Sequence, residues 1–159
     1  CDKRRFAYFA VFYSSRRYIY TPYKSLSDME KVVCKNFLLS SLASRLNTIM
    51  PANFYVEATE VGCNLLCQGN IEYSIGIDYF WDERSIKESI EASSYNILNT
   101  LQDVLTLTIQ DIWPKISSHP TSMPLPEVYW SDNKLELSFR LDNQTVLQLE
   151  PIDFSDLLK

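Results

Sequence analysis

The longest uninterrupted helical pattern in the chain covers residues 85–113. Its apolar residues fall within about 100° of one another on a helical wheel, the width of a core-facing stripe; they are Ile86, Ile90, Ile97, Leu101, Val104, Leu105 and Ile112. Ser85 and Glu88 have the spacing of a capping box, and Pro114 predicts the end of the helix. At about 1.5 Å per residue the helix would be roughly 40 Å long, enough to cross a small sheet.

Two residues in the middle of this helix are predicted to have opposite environments. Leu101 lies at the centre of the apolar stripe, so we expect it to be fully buried. Gln102 lies about 100° further round the helix, at the edge of the stripe, so we expect its side chain to contribute little to stability.

The segments on either side of this helix read as strands and a second helix. Residues 5–13 are rich in aromatic and branched side chains and predict a strand, with a short return strand over residues 17–21. Ser27 and Glu30 repeat the capping-box spacing and predict a helix that ends before Pro51. Strands are then predicted over residues 54–59 and 71–79. In the second of these, alternate residues are expected to face the core; they are Ile71, Tyr73, Ile75, Ile77 and Tyr79.

The C-terminal third predicts a meander of three short strands, over residues 127–131, 134–141 and 144–150. Two pairs of turn-forming residues separate them, Asp132–Asn133 and Asp142–Asn143. The preceding residues 114–126 hold four of the seven prolines and predict a long ordered loop. The order of elements therefore predicts an α+β fold that resembles the ferredoxin-like split β-α-β arrangement (β-α-β-β-α-β), with an added C-terminal antiparallel meander. We expect a single domain over residues 1–159, and the resemblance is to a fold and not to a protein family.

Composition excludes several function classes. Only three of the 159 residues are glycine, so phosphate-binding glycine loops are not expected. No apolar run approaches the roughly 18–20 residues of a membrane span, so no transmembrane segment is expected. Hydrophobic residues make up 46% and charged residues 22% of the chain, which is ordinary globular usage.

The four cysteines do not have the C-x-x-C spacing of zinc ribbons or thioredoxins. Cys34 falls inside a predicted helix, where a small buried side chain is expected. If Cys63 and Cys67 share one strand they lie about 13 Å apart, too far for a disulfide, whereas around a turn they could meet. We therefore expect no metal site and no cofactor.

The first residue, Cys1, raises an alternative function. A mature bacterial lipoprotein begins with an acylated cysteine, so one hypothesis is a cell-envelope lipoprotein held to the membrane only by a lipid on Cys1. The other is a domain cut from a longer chain, with a cytoplasmic location as one option.

A group of carboxylates surrounds the start of the long helix: Asp78, Asp82, Glu83, Glu88 and Glu91. Paired carboxylates can perform acid–base catalysis when burial separates their pKa values. Acidic residues are also favoured at a helix start by the helix dipole. We interpret these residues as structural and expect that the chain is not an enzyme.

The main functional hypothesis concerns the first predicted strand. Phe6, Tyr8 and Phe12 project from one face of it, and a partner is expected to bind there with basic residues at the rim, namely Arg4, Arg5 and Arg17. This pattern predicts a non-catalytic protein-binding domain, such as an inhibitor, an immunity-type partner or an assembly subunit, with a protein partner or a second copy as the ligand.

Two other interpretations of this aromatic row stay open. The C-terminal meander could fold back and cover it as a second core, through Leu135, Leu137 and Phe139. A further alternative is binding of single-stranded nucleic acid on the sheet face. The glycine-containing signature of such sheets is missing and the rest of the chain is acidic, so the sequence argues against nucleic acid.

Overall fold

The computed structural model describes residues 10–11, 19–20, 26–82 and 84–158. The chain divides into two compact units, Cys1–Val33 and Cys34–Lys159. The expected single domain over residues 1–159 therefore stays a prediction.

The first unit contains a short antiparallel strand pair and the start of a helix. Strands β1 (Ala10–Val11) and β2 (Ile19–Tyr20) pair so that Ala10 lies opposite Tyr20. Both fall within the strand and return strand that the sequence predicts. Helix α1 (Leu26–Asn47) begins at Leu26, so Ser27 lies inside the helix and is not its N-cap as predicted.

The second unit begins with the rest of α1 and an antiparallel sheet of three strands. These are β3 (Phe54–Ala58), β4 (Gly62–Cys67) and β5 (Asn70–Gly76), with β4 in the centre. The inner face of this sheet contributes Val56, Leu65 and Ile75 to the core. The strands β4 and β5 are joined by a tight turn at Gln68 and Gly69, whose φ angles of 50° and 84° lie in the left-handed region that glycine favours.

A β-bulge interrupts β5. Leu65 lies opposite Tyr73, but the next residue of β4, Leu66, lies opposite Ile71, so Glu72 is an extra residue without a partner in β4. The bulge reverses the alternation of side chains beyond it, because directly opposed residues share a face. Ile71 is consequently 60% exposed, and its predicted place on the core face is wrong.

A second antiparallel sheet follows α2 and confirms the predicted meander. It comprises β6 (Leu125–Ser131), β7 (Lys134–Leu141), β8 (Gln144–Gln148) and β9 (Ile152–Asp153). Strand β7 is flanked by β6 on one side and by β8 and β9 on the other. Both predicted turn pairs lie between the strands, with Asp132, Asp142 and Asn143 in the left-handed region.

Helix α2 (Ile86–Ile109) has the predicted start but not the predicted end. The Ser85 Oγ accepts a hydrogen bond from the Glu88 amide, and the Glu88 carboxylate accepts one from the Ser85 amide, which confirms the capping box. The helix ends at Ile109, where Gln110 adopts a left-handed conformation. Pro114 therefore lies beyond the end of the helix, and the helix does not end because of this proline.

The core of the second unit joins both helices to the inner faces of both sheets. Its fully buried side chains include Leu42 of α1, Leu101 of α2, Phe139 of β7 and Phe154 near the C-terminus. The described residues thus form an α+β fold, with two α-helices, a short 3-10 helix (Asp78–Trp81) and antiparallel sheets of three and four strands in addition to the β1–β2 pair. The ferredoxin-like arrangement is not confirmed, because the described strands form separate sheets and three of them, not two, lie between the helices.

The environment of Gln102 differs from the prediction. Its side chain is buried, and Nε2 donates hydrogen bonds to the carbonyl oxygens of Trp113 at 3.1 Å and Pro124 at 2.6 Å. The loop after α2 folds back over this helix position, so Gln102 holds both ends of the loop. The helical pattern alone could not show this, because the contact depends on the path of the loop.

We expect Gln102→Ala to destabilise the protein by about 1–3 kcal/mol, because two carbonyl groups of buried residues lose their donor. Urea denaturation followed by circular dichroism measures the change. Asp103→Ala is the control, since Asp103 is the next residue of α2 and is exposed. Equal denaturation midpoints for the two variants would contradict the role of Gln102 as a loop anchor.

Candidate interaction surfaces

The residues of the main functional hypothesis lie outside the described residues; they are Arg4, Arg5, Phe6, Tyr8, Phe12 and Arg17. Cys1, the residue of the lipoprotein alternative, lies outside them as well. The aromatic row and the lipidated cysteine therefore stay predictions. Leu135, Leu137 and Phe139 of the meander are fully buried in the core of the second unit.

The carboxylates near the start of α2 have structural partners or are exposed. Hydrogen bonds from Ser85 hold the pKa of the Glu88 carboxyl below its ordinary value, so this group stays ionised and caps the helix. Asp78 forms an ion pair with Lys35, whose Nζ lies 3.1 Å from Oδ1. Asp82 and Glu91 are exposed, and Glu83 lies outside the described residues.

The cysteines of the second unit are not bridged. Cys63 and Cys67 both lie on β4, the arrangement for which the sequence predicts no disulfide between them. Cys34 and Cys63 are buried and Cys67 is half-buried, and burial raises the pKa of the Cys63 thiol to about 12. Within the described ranges no group of three or more histidine, cysteine or acidic residues is placed to hold a metal ion. Neither described helix is long and apolar enough to cross a membrane.

These thiols should differ in reactivity. We expect iodoacetamide at pH 8 to modify Cys67 at least about tenfold faster than Cys34 or Cys63, because the thiolate is the nucleophile and burial keeps the Cys63 thiol protonated. Mass spectrometry of proteolytic peptides measures the three rates. In urea, which unfolds the protein, all three thiols should react at similar rates. Faster modification of Cys63 than of Cys67 in the folded protein would contradict the burial of Cys63.

The outer face of the three-stranded sheet carries an exposed apolar row. Tyr55 lies opposite Leu66, and Leu66 lies opposite Ile71, so the three residues, here called the Tyr55 row, share one face across all three strands. Tyr55 is 57% and Ile71 60% exposed, while Leu66 between them is partly covered. The bulge at Glu72 completes the row, because it brings Ile71 to the outer face.

The charged residues of strands β3 to β5 and of the turns between them are all acidic. Residues 46–83 contain no lysine or arginine. Glu57 and Glu72 are exposed beside the row, and Glu60 is exposed in the turn between β3 and β4. Next to Glu57 the face is neutral and polar, where the Ser74 Oγ donates a hydrogen bond to the Asn64 Oδ1 at 2.7 Å. The row thus has an acidic rim.

A groove of about 410 Å³ lies between α2 and β6, and we call it the α2–β6 groove. It is lined by Arg84, Glu88, Glu91, Ala92, Tyr95 and Val128. Strand β6 pairs with β7 on one side only, and its other edge makes no backbone hydrogen bond to another described residue. The groove therefore combines two acidic side chains and Arg84 with an apolar lining, and Val128 in that lining belongs to a strand with one unpaired edge.

A second depression, of about 450 Å³, lies on the outer face of the four-stranded sheet beside Arg140. The Arg140 guanidinium already has partners, because Nη1 lies 2.6 Å from the Glu127 carboxylate and Nη2 lies 2.6 Å from the Asn143 carbonyl oxygen. The guanidinium of Arg140, which lines this depression, is thus bound by Glu127 and Asn143 of the same sheet and turn. We assign it a structural role.

Sequence reasoning placed the contact surface at the N-terminus and missed the Tyr55 row. The absence of lysine and arginine from residues 46–83 was the available signal. The row itself depends on strand register and on a bulge.

Comparison of the chain with protein-family models, with curated proteins and with solved structures finds no match. A function is therefore inferred from the surfaces alone.

Proposed function

We propose that this chain is a protein-binding domain that contacts its partner through the outer face of the β3–β4–β5 sheet. The observation that carries this proposal is the Tyr55 row, in which two exposed apolar side chains and the partly covered Leu66 between them line up across three strands. Neighbouring strands lie about 4.8 Å apart, so the row extends roughly 10 Å before its side chains are counted. Contiguous exposed apolar groups with a polar rim are typical of protein interaction sites.

The rim indicates the charge of the partner. Glu57 and Glu72 flank the row, and no lysine or arginine occurs among residues 46–83. A basic partner surface would be attracted during encounter and an acidic one would be repelled. The proposed partner is therefore a protein with an apolar patch that is bordered by lysine or arginine.

Several observations favour binding over acid–base catalysis at the helix start. The Glu88 carboxylate is used by the capping box, and its pKa is lowered, which is the wrong direction for a general acid at neutral pH. The Asp78 carboxylate forms an ion pair with Lys35. The aromatic row predicted at Phe6, Tyr8 and Phe12 stays a separate hypothesis for the same class of function.

Photocrosslinking tests the proposal. The crosslinking amino acid p-benzoylphenylalanine is placed at Tyr55, or at Leu107 as a control, since Leu107 is 78% exposed on α2. We expect a partner from the native source to be captured at position 55 and not at position 107. The captured protein is then purified and its affinity for the intact chain is measured by calorimetry.

Matched variants test the same surface by affinity. The double change Tyr55→Ala and Ile71→Ala should weaken binding of that partner at least tenfold while the melting temperature changes by no more than about 2 °C. The double change Leu107→Ala and Leu125→Ala removes two apolar side chains elsewhere that are even more exposed, and it should leave the affinity unchanged. Equal affinities for the two double variants would overturn the proposal.

A further inference from the structure

We propose that the α2–β6 groove binds an extended, basic peptide segment as an additional strand on the free edge of β6. This site is separate from the Tyr55 row and adds a second binding activity to the proposed function. The ligand is an extended stretch of a partner protein that carries lysine or arginine beside an apolar residue.

The backbone of β6 supplies the first half of the site. Seven residues of β6 extend roughly 23 Å. One edge of this strand pairs with β7, whereas the other has no backbone partner among the described residues. Pro126 within the strand fits an edge position, because proline cannot donate a ladder hydrogen bond. Apart from Pro126, which has no amide hydrogen to donate, the residues of such an edge can pair with an extended peptide through main-chain hydrogen bonds.

Helix α2 supplies the second half and leaves room for side chains. At one end α2 lies against β6, where the Trp130 Nε1 donates to the Lys87 carbonyl oxygen at 3.3 Å. Further along the helix the small side chain of Ala92 leaves the groove open, with Val128 and the half-exposed ring of Tyr95 as its apolar lining. Alternate side chains of an added strand would point into this space. Its volume of about 410 Å³ is within the range of ligand sites.

The charges of the groove select a basic ligand. Glu88 and Glu91 lie on the helix side of the groove, and no described residue forms an ion pair with Glu91. Two cations lie near these carboxylates. The Arg84 guanidinium carbon lies 5.4 Å from the centre of the Phe80 ring, and the Lys87 Nζ lies 5.1 Å from the centre of the Trp130 ring and donates to the Asp132 carbonyl oxygen. A lysine or arginine of the peptide would therefore meet, at Glu91, an exposed carboxylate that has no ion-pair partner among the described residues.

A defined peptide pool tests the proposal. The basic pool consists of heptapeptides with threonine at even positions and lysine, arginine, valine or leucine at odd positions; an acidic pool replaces the two basic residues with aspartate and glutamate. Amide resonances of the ¹⁵N-labelled full chain are followed during titration. We expect the basic pool to shift the resonances of β6 and of Glu91, Ala92 and Tyr95, and to slow hydrogen exchange along β6. The acidic pool should leave them unchanged.

Two N-methylated versions of the basic pool test strand addition itself. One is methylated on the odd and the other on the even amides. Because an added strand pairs through alternate residues, one version should lose binding and the other should keep it. Equal binding of both versions would overturn strand addition.

A charge variant tests the recognition of basic residues. Glu91→Lys should weaken binding of the basic pool at least tenfold, whereas Asp103→Lys, the same charge change at another exposed position of α2, should change it less than twofold. Absence of shifts in β6 at 1 mM peptide, equal shifts with the acidic pool, or dimerisation through β6 without peptide would each overturn the inference. Shifts confined to the Tyr55 row would overturn it too, while leaving the proposed function in place.

Discussion

Gly62→Ala is expected to destabilise the second unit by about 3 kcal/mol or more, at or above the upper end of the usual cost of overpacking. A Cβ atom at this position would lie 1.7 Å from the carbonyl oxygen of Ile75 and 2.8 Å from its carbonyl carbon. Both atoms belong to the backbone of the neighbouring strand, so no side-chain rotation relieves the overlap. The β4–β5 ladder would have to separate where it contributes Cys63 and Ile75 to the core.

Gly76→Ala is the matched control for this change. Gly76 lies directly opposite Gly62 in the same ladder, and a Cβ there meets no atom within 4 Å. Its effect on the free energy of unfolding should stay within about 1 kcal/mol, because the added methyl group meets open space and alanine restricts the unfolded chain more than glycine does. Urea denaturation midpoints compare the two variants, and similar midpoints would show that β4 and β5 do not approach each other as described.

Leu101→Ala should cost about 2–5 kcal/mol, because Leu101 is completely buried at the centre of α2 and its truncation leaves a cavity. At about 2–4 °C per kcal/mol for a chain of this size, the melting temperature should fall by roughly 4–20 °C. Scanning calorimetry measures the shift. The result tests whether the apolar stripe of α2 faces the core.

Leu107→Ala makes the same chemical change on the same helix at a side chain that is 78% exposed. Its cost should be below about 0.5 kcal/mol. If Leu101→Ala and Leu107→Ala have the same melting temperature, the face of α2 that packs against the core is not the one described.

Local signals in the sequence predicted local structure well. The capping box at Ser85 and Glu88 requires only residues three apart, and the turn pairs of the meander require only two adjacent residues. Features that depend on distant contacts were not predictable in this way. The end of α2 is set by the left-handed Gln110, and the burial of Gln102 is set by a loop that returns from Pro124.

The candidate surfaces were harder to predict than the fold. The Tyr55 row requires the register of three strands, and the α2–β6 groove requires a helix to lie beside a strand from which fifteen residues separate it in the chain. Strict alternation in β5 placed Ile71 in the core, since a pattern of period two contains no information about an inserted residue. The sequence predicted a binding function from other residues, and those lie outside the described part of the chain.

The bulge at Glu72 has a second consequence, for the behaviour of the protein at high concentration. Among the described strands β5 is an edge of its sheet, and its residues Ile71, Tyr73 and Ile75 have high β-propensity. A flat edge of that composition would be a template on which further chains could aggregate. An extra residue that bears a negative charge interrupts the regular spacing of donors and acceptors along this edge. We therefore expect the residue that turns Ile71 outward also to hinder growth of the sheet into fibres.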